Sequence, residues 1–173
     1  MRYRIISAII LILSGALFQS TILESIEIFG IRPNLLIVLT VIVSLLRSPG
    51  ESGIMALSFG LTMDILLGKS LGWYGLLFFL VSIPISLINE KLYREKFVVL
   101  TSFSFASTVI IETLFIFIIF IFKDLGHIPY LFGTIIIPEA IYNSAFILLL
   151  FRPITKVYSL LDRIDRRRNR LPA

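Results

Sequence analysis

Six apolar segments joined by short connections are the feature that most constrains how this chain folds. They cover residues 5–23, 33–46, 52–67, 73–88, 97–122 and 130–151. A helix needs about 20 mostly apolar residues to cross roughly 30 Å of hydrocarbon. Because 57% of the 173 residues are hydrophobic and only 16% are charged, too little polar surface remains to cover a water-soluble domain. The sequence therefore predicts an all-α polytopic membrane protein, a bundle of six transmembrane helices. The second and third segments are short, so five spans is the main alternative.

Basic residues indicate the orientation of the bundle. With six spans and both termini cytoplasmic, the cytoplasmic segments hold thirteen of the sixteen basic residues. Cytoplasmic loops carry an excess of Lys and Arg, and a five-span chain would separate the basic C-terminal residues from the basic N-terminus. The start of the chain is interpreted as an uncleaved first span, because its apolar run is longer than a signal peptide needs. We expect residues 1–151 to form a multi-pass domain in a bacterial cytoplasmic membrane.

Residues 152–173 are predicted to form a basic amphipathic tail in the cytoplasm. Apolar residues recur there at helical spacing, with charged residues opposite: Ile154, Val157, Leu161 and Ile164. Such a helix suits an anionic membrane surface, so anionic lipids are expected partners of the tail. Because the net charge of +5 is explained by topology, it gives no reason to expect nucleic-acid binding.

Three acidic residues lie within the apolar segments, namely Asp64, Glu112 and Glu139. Charged groups are costly in hydrocarbon and usually face the interior of a bundle. A rise of about 1.5 Å per residue places all three roughly 20–24 Å from the cytoplasmic boundary. We expect them to cluster near one outward-facing polar cavity. The alternative is that each makes separate hydrogen bonds between helices, with Glu139 stabilised at a helix start after Pro138.

Polar residues accompany two of these acids on their helix faces. Thr101, Ser104 and Thr108 form one narrow stripe with Glu112. In the last span, Asn143 lies one turn after Glu139 on the same face. Ser104, Thr108 and Asn143 are therefore further candidates for a cavity wall or a partner contact.

Small residues mark one face of the third span. Ala56, Gly60, Asp64 and Gly68 repeat every four positions, and Gly53 lies about one turn earlier. Small side chains allow two helices to approach closely. This face is predicted to pack against another helix, and a partner protein's helix is one candidate.

The chain offers no catalytic constellation. It has no cysteine and a single histidine, His127, which argues against thiolate chemistry and against a histidine-rich metal centre. The glycines from Gly68 to Gly75 are interpreted as a turn between spans and not as a phosphate-binding loop: that motif needs a glycine five residues before Gly68-Lys69-Ser70, and Met63 occupies the position. A serine nucleophile would need a His or Lys base beside it, and the spans contain neither. We expect a protein that is not an enzyme and holds no metal or cofactor.

Three motifs, in this order and spacing, resemble the MreD family, the rod shape-determining membrane proteins of bacteria. They are Arg32-Pro33-Asn34 at the second span, the glycine run with Asp64 in the third, and Pro138-Glu139-Ala140-Ile141-Tyr142-Asn143 at the sixth. Members of the family usually carry an acid after the first proline, where this chain has Asn34. A role that depends on charge is therefore not expected at that position.

The resemblance implies a non-enzymatic scaffold for cell elongation. MreD proteins act with MreC and, through MreC, with the MreB filament. For this chain we expect a contact with MreC's transmembrane helix and its outer juxtamembrane segment. The wider complex contains a RodA-type glycosyltransferase and a class B penicillin-binding protein, which build side-wall peptidoglycan. The family also resembles, in fold, the substrate-binding components of energy-coupling vitamin transporters. Such a transporter component is the alternative function, although the first span lacks their alanine-rich small-xxx-small pattern. Self-association stays open.

Overall fold

The computed structural model describes residues 2–22, 26–27, 30–68, 72–89, 97–123 and 132–168. Its regular elements are all helical, and each predicted segment corresponds to one helix. Helix α1 is Arg2–Leu17, continued by a π-helical turn at Phe18–Ile22; α2 is Leu35–Leu46, α3 is Pro49–Leu67, α4 is Trp73–Asn89, and α5 is Phe97–Lys123. Helix α6, Ile137–Arg168, follows a π-helical turn at Phe132–Ile136. The all-α fold is confirmed for these residues. His127 and positions 23, 130–131 and 169–173 of the predicted segments lie outside them.

Three of the helices are long and apolar enough to cross a membrane: Pro49–Leu67, Phe97–Ile121 and Phe132–Ile164. The apolar parts of the other three are shorter, at Ser7–Thr21, Leu35–Leu46 and Trp73–Ile88. A straight helix the length of α2 is about 18 Å long, well short of the roughly 30 Å of a bilayer core. The chain is therefore a helical membrane protein, and the six full crossings stay a prediction.

Helix α2 is the centre of the bundle. Every residue from Pro33 to Leu45 is buried, and α2 contacts each of the five other helices. A helix that is apolar on all sides is suited to this position. Its two hydroxyls, on Thr40 and Ser44, donate to carbonyls one turn earlier in α2 itself, at 2.8 and 2.7 Å.

Helices α3 and α4 approach each other through the small-residue face. A Cβ added at Gly60 would lie 2.4 Å from the carbonyl oxygen of Tyr74 and 2.6 Å from Cα of Gly75. Gly53 and Ala56, on the same face, are also buried. The predicted packing face thus lies against a helix of this chain, and α4 occupies the space at Gly60 that another helix would need. Gly68 instead ends α3 with φ of 59°, a conformation that glycine adopts without steric cost.

Helix α6 continues past Phe151 to Arg168 without a break, so the start of the predicted tail is an extension of the last helix. Arg47, between α2 and α3, anchors this extension. Its Nη1 lies 3.0 Å from Oδ1 of Asp162, its Nε lies 3.7 Å from Oε2 of Glu51, and its guanidinium stacks 4.5 Å from the ring centre of Tyr158. Its backbone carbonyl accepts a hydrogen bond of 2.6 Å from Ser86 of α4. One residue therefore ties α4 and α6 to the α2–α3 connection.

Candidate functional site

A cleft of about 500 Å³ with a polar side lies at one end of the bundle, lined by α3, α4, α5 and α6, by the π-helical turns before α6 and after α1, and by the segment that leads into α2. The side chains that give it polar character are Gln19, Arg32, Asn34, Tyr74, Glu112 and Glu139. Two of the three acids predicted to share a cavity therefore line one cleft. The structure separates the third acid, Asp64, from them.

Asp64 interacts with the start of α4. Its Oδ2 accepts hydrogen bonds from the backbone N–H groups of Gly72 and Gly75, at 2.8 and 3.2 Å, and its Oδ1 accepts one from Tyr74 at 3.1 Å. The side chain is almost completely buried, with 1% of the residue exposed. The first N–H groups of a helix have no partner inside that helix, and its N-terminal end favours a negative group. Asp64 therefore caps the neighbouring helix of its own chain.

Tyr74 connects this cap to Glu112 in the cleft. Its hydroxyl donates to the carboxylate of Glu112, at 3.1 Å to Oε2. Its ring stacks on Phe115, with centres 4.0 Å apart, and meets the edge of Phe78 at 5.8 Å. The sequence analysis did not identify Tyr74, because its two partners, Asp64 and Glu112, lie on different helices, 10 and 38 residues away along the chain.

Asn143 joins three helices beside Glu139. Its Oδ1 accepts a 2.7 Å hydrogen bond from the backbone N–H of Asn34, and its Nδ2 donates to Oγ1 of Thr108 at 3.0 Å. The carboxyl group of Glu139 contacts the side chains of both asparagines. Asn34 in turn caps α2, because its side chain accepts from the N–H of Ile37. Asn34 is thus a neutral helix cap.

The remaining residues of the predicted motifs lie around this network. Ser104 is fully buried on the same stripe of α5 as Thr108, and its hydroxyl has no hydrogen-bond partner among the described residues. Arg32 forms an ion pair of 2.7 Å with Glu27 at the edge of the cleft. Pro138 and Tyr142 are partly buried on the first two turns of α6.

Gln19 is a cleft residue that the sequence analysis missed. Its Oε1 accepts from the N–H of Leu35 at 2.8 Å, and its Nε2 donates to the carbonyl oxygen of Pro33 at 3.4 Å. The π-helical turn at the end of α1 carries Gln19 toward these groups. A long amide inside an apolar segment was the available signal, since such groups need hydrogen-bond partners in a membrane.

The site is built from carboxylates, amides and hydroxyls that join helix ends. In the described part of the chain, no group of three or more His, Cys, Asp and Glu side chains is arranged to hold a metal ion. The donors and acceptors described above connect α3 to α4, α4 to α5, α6 to α2 and α5, and the turn after α1 to the start of α2. These hydrogen bonds can fix the positions of the helix ends relative to one another. The cleft beside them can accept a polar group.

The fold and the buried polar network define a class: a helical membrane protein whose buried polar side chains connect the helices of one bundle. The family model of rod shape-determining protein MreD matches residues 1–161, so the chain belongs to the MreD family. The resemblance found from the sequence motifs is thereby confirmed. Membership supports a role in rod shape determination, in a family of structural components not known as enzymes. Neither the curated proteins nor the solved structures searched gave a match.

Proposed function

We propose that this protein is a non-enzymatic scaffold of the cell-elongation complex in the bacterial cytoplasmic membrane, and that it binds MreC. In this proposal the bundle crosses the membrane six times with both termini in the cytoplasm. Through MreC it contributes to coupling MreB to the RodA-type glycosyltransferase and the class B penicillin-binding protein. Family membership supports this role, and one surface of the bundle suggests how MreC is held.

That surface is an apolar groove of about 510 Å³ between α1 and α6, with α2 as its floor. Leu11 and Phe18 of α1 line one wall, Phe146 and Leu150 of α6 line the other, and the groove continues to Leu161. Helix α1 contacts α2 and α3 only lightly. An open apolar groove along the length of a membrane helix suits another transmembrane helix, which associates by close packing.

Small residues on α1 support a helix as the occupant. Ser7 and Ser14 lie along the groove, on the same side of α1 as Leu11, whereas Gly15 already packs against Leu39 of α2. Small side chains at this position allow a neighbouring helix backbone to come close. We therefore assign the groove to the transmembrane helix of MreC, and the adjoining end of the bundle to MreC's outer juxtamembrane segment.

Filling the groove tests this assignment. Leu11→Trp places a large ring in the groove, whereas Leu13→Trp places the same ring on the exposed side of α1, where Leu13 is 59% exposed. Tagged variants are purified from native membranes in mild detergent, and the recovered partners are quantified by mass spectrometry. We expect Leu11→Trp to lose most MreC and Leu13→Trp to keep it. Equal recovery of MreC with both variants would exclude the groove as its binding site.

The polar cleft is the observation that favours the alternative function, a substrate-binding component of a small-molecule transporter. A cleft of about 500 Å³ with two carboxylates is large enough for a small ligand. The same purification separates the two functions. A transporter component would recover transport ATPases and a coupling membrane subunit in place of MreC and the wall-synthesis enzymes.

A further inference from the structure

A second groove, of about 470 Å³, lies between the described start of α5 and the middle of α6. Its apolar walls are formed by Phe97 and Leu100 of α5 and by Leu148 and Phe151 of α6. Its polar end is formed by Arg152, Thr155 and Lys156. The groove is separate from the MreC groove and from the polar cleft, and no part of the proposed scaffold function uses it.

The helical repeat explains why the groove has two chemically different ends. Residues 148, 151, 152, 155 and 156 are spaced by three and four positions, so they share one face of α6. Leu100 and Phe151 are buried and form the floor, while the side chains of Arg152 and Lys156 are exposed at the rim. The two basic residues follow directly on the apolar part of α6, at the level where a membrane helix meets headgroups.

We propose that this groove is a binding site for a single anionic phospholipid. The lipid phosphate interacts with Arg152 and Lys156, and an acyl chain lies along Leu148 and Phe97. A guanidinium group binds phosphate oxygens through two parallel hydrogen bonds, and an ammonium group beside it adds a second positive charge. Basic pockets between transmembrane helices bind anionic headgroups in this way. The apolar walls need an occupant with a hydrocarbon chain, so a lipid satisfies both ends of the groove.

A built site differs from general attraction of the basic tail to a charged surface. General attraction depends on how many positive charges are present, whereas a site depends on which residues carry them. The tail supplies a matched control, because Arg163 and Arg166 lie seven and ten residues beyond Lys156 along α6. Removing two charges at either place changes the net charge by the same amount.

The test measures lipid binding to the purified full-length chain. The protein in mild detergent, at near-physiological ionic strength, is titrated with phosphatidylglycerol and separately with phosphatidylcholine, and bound lipid is counted by native mass spectrometry. We expect Arg152→Gln with Lys156→Gln to weaken phosphatidylglycerol binding by about 25-fold, or about fivefold per charge. Binding of phosphatidylcholine should stay unchanged. Arg163→Gln with Arg166→Gln should weaken phosphatidylglycerol binding by no more than about twofold, because distant charges are screened.

Two further variants keep the proposal open to refutation. Leu148→Trp fills the apolar part of the groove and keeps both basic residues, so it should weaken phosphatidylglycerol binding without a change of charge. Lys156→Gln alone changes an exposed position that a folded protein tolerates, and should weaken binding about fivefold. Equal losses in the groove pair and the tail pair would refute a built site. Normal phosphatidylglycerol binding by Leu148→Trp would do the same.

Discussion

Replacing Asp64 with Ala tests whether this buried acid stabilises the bundle by capping α4. The change removes the acceptor of three backbone N–H groups. Two of these groups are on buried residues, Tyr74 and Gly75, and the third is on Gly72, which is partly exposed. A buried donor left without a partner costs about 1–3 kcal/mol. Two such donors predict a loss of about 2–6 kcal/mol in the free energy of unfolding.

Asp64→Asn should have an intermediate effect. The amide keeps one acceptor oxygen, which can serve Gly72 and Gly75, but its NH₂ group then faces the N–H of Tyr74. One buried donor is lost instead of two, so we expect a loss of about 1–3 kcal/mol. Ser58→Ala is the matched control on the same helix, because the Ser58 hydroxyl is bonded only within α3 and water or lipid can reach it. Its effect should stay within about 0.5 kcal/mol.

The measurement uses the chain's single tryptophan. Trp73 is the first residue of α4, next to the three N–H groups that Asp64 binds. Unfolding in mild detergent with increasing dodecyl sulfate is followed by Trp73 fluorescence and, in parallel, by helical circular dichroism. An Asp64→Ala protein as stable as Ser58→Ala would refute the reasoning, because the three hydrogen bonds would then contribute nothing measurable.

Three other substitutions follow from the packing. Gly60→Ala should destabilise the protein by about 1–3 kcal/mol in the same titration, because its Cβ meets the backbone of α4. Gly50→Ala is the control in the same helix: nothing lies within 4 Å of its Cβ, so it should not destabilise the protein. Asn143→Leu should cost about 1–3 kcal/mol, because the N–H of Asn34 loses its acceptor; an unchanged unfolding midpoint would contradict this. Arg47→Ala removes the ion pair with Asp162 and the stacking on Tyr158, so amide hydrogen exchange should become faster along residues 155–168. Exchange in α3 should stay slow. Unchanged exchange along residues 155–168 would show that Arg47 does not hold the extension.

Helix positions could be predicted because each apolar segment must satisfy its own backbone hydrogen bonds in a membrane. The partners of the polar residues were harder to predict. The depth of Asp64 follows from counting residues, but its partners are backbone N–H groups eight to eleven residues later, and no side-chain pattern records them. Glu112 and Glu139 do share a cleft, and helical depth was sufficient to suggest it.

The small-residue face shows a second limit of sequence reasoning. Gly53, Ala56 and Gly60 indicate close approach by a helix, yet the same residues would serve a partner protein or a neighbour in the same chain. The structure places α4 there, at a distance that leaves no space for a Cβ at Gly60. Which helix approaches depends on how the whole bundle packs, and local spacing carries no such information.

The complete enclosure of α2 has a consequence for how the protein is made. Synthesis proceeds from the N-terminus, so α2 leaves the ribosome before α3, α4, α5 and α6 exist to cover it. During that interval α1 is the one helix of the bundle that already exists beside it. A segment of leucine, isoleucine and valine tolerates lipid on every side, and Thr40 and Ser44 already have acceptors within α2. The residues that form the centre of the finished protein are thus also suited to contact lipid before the later helices are inserted and pack around them.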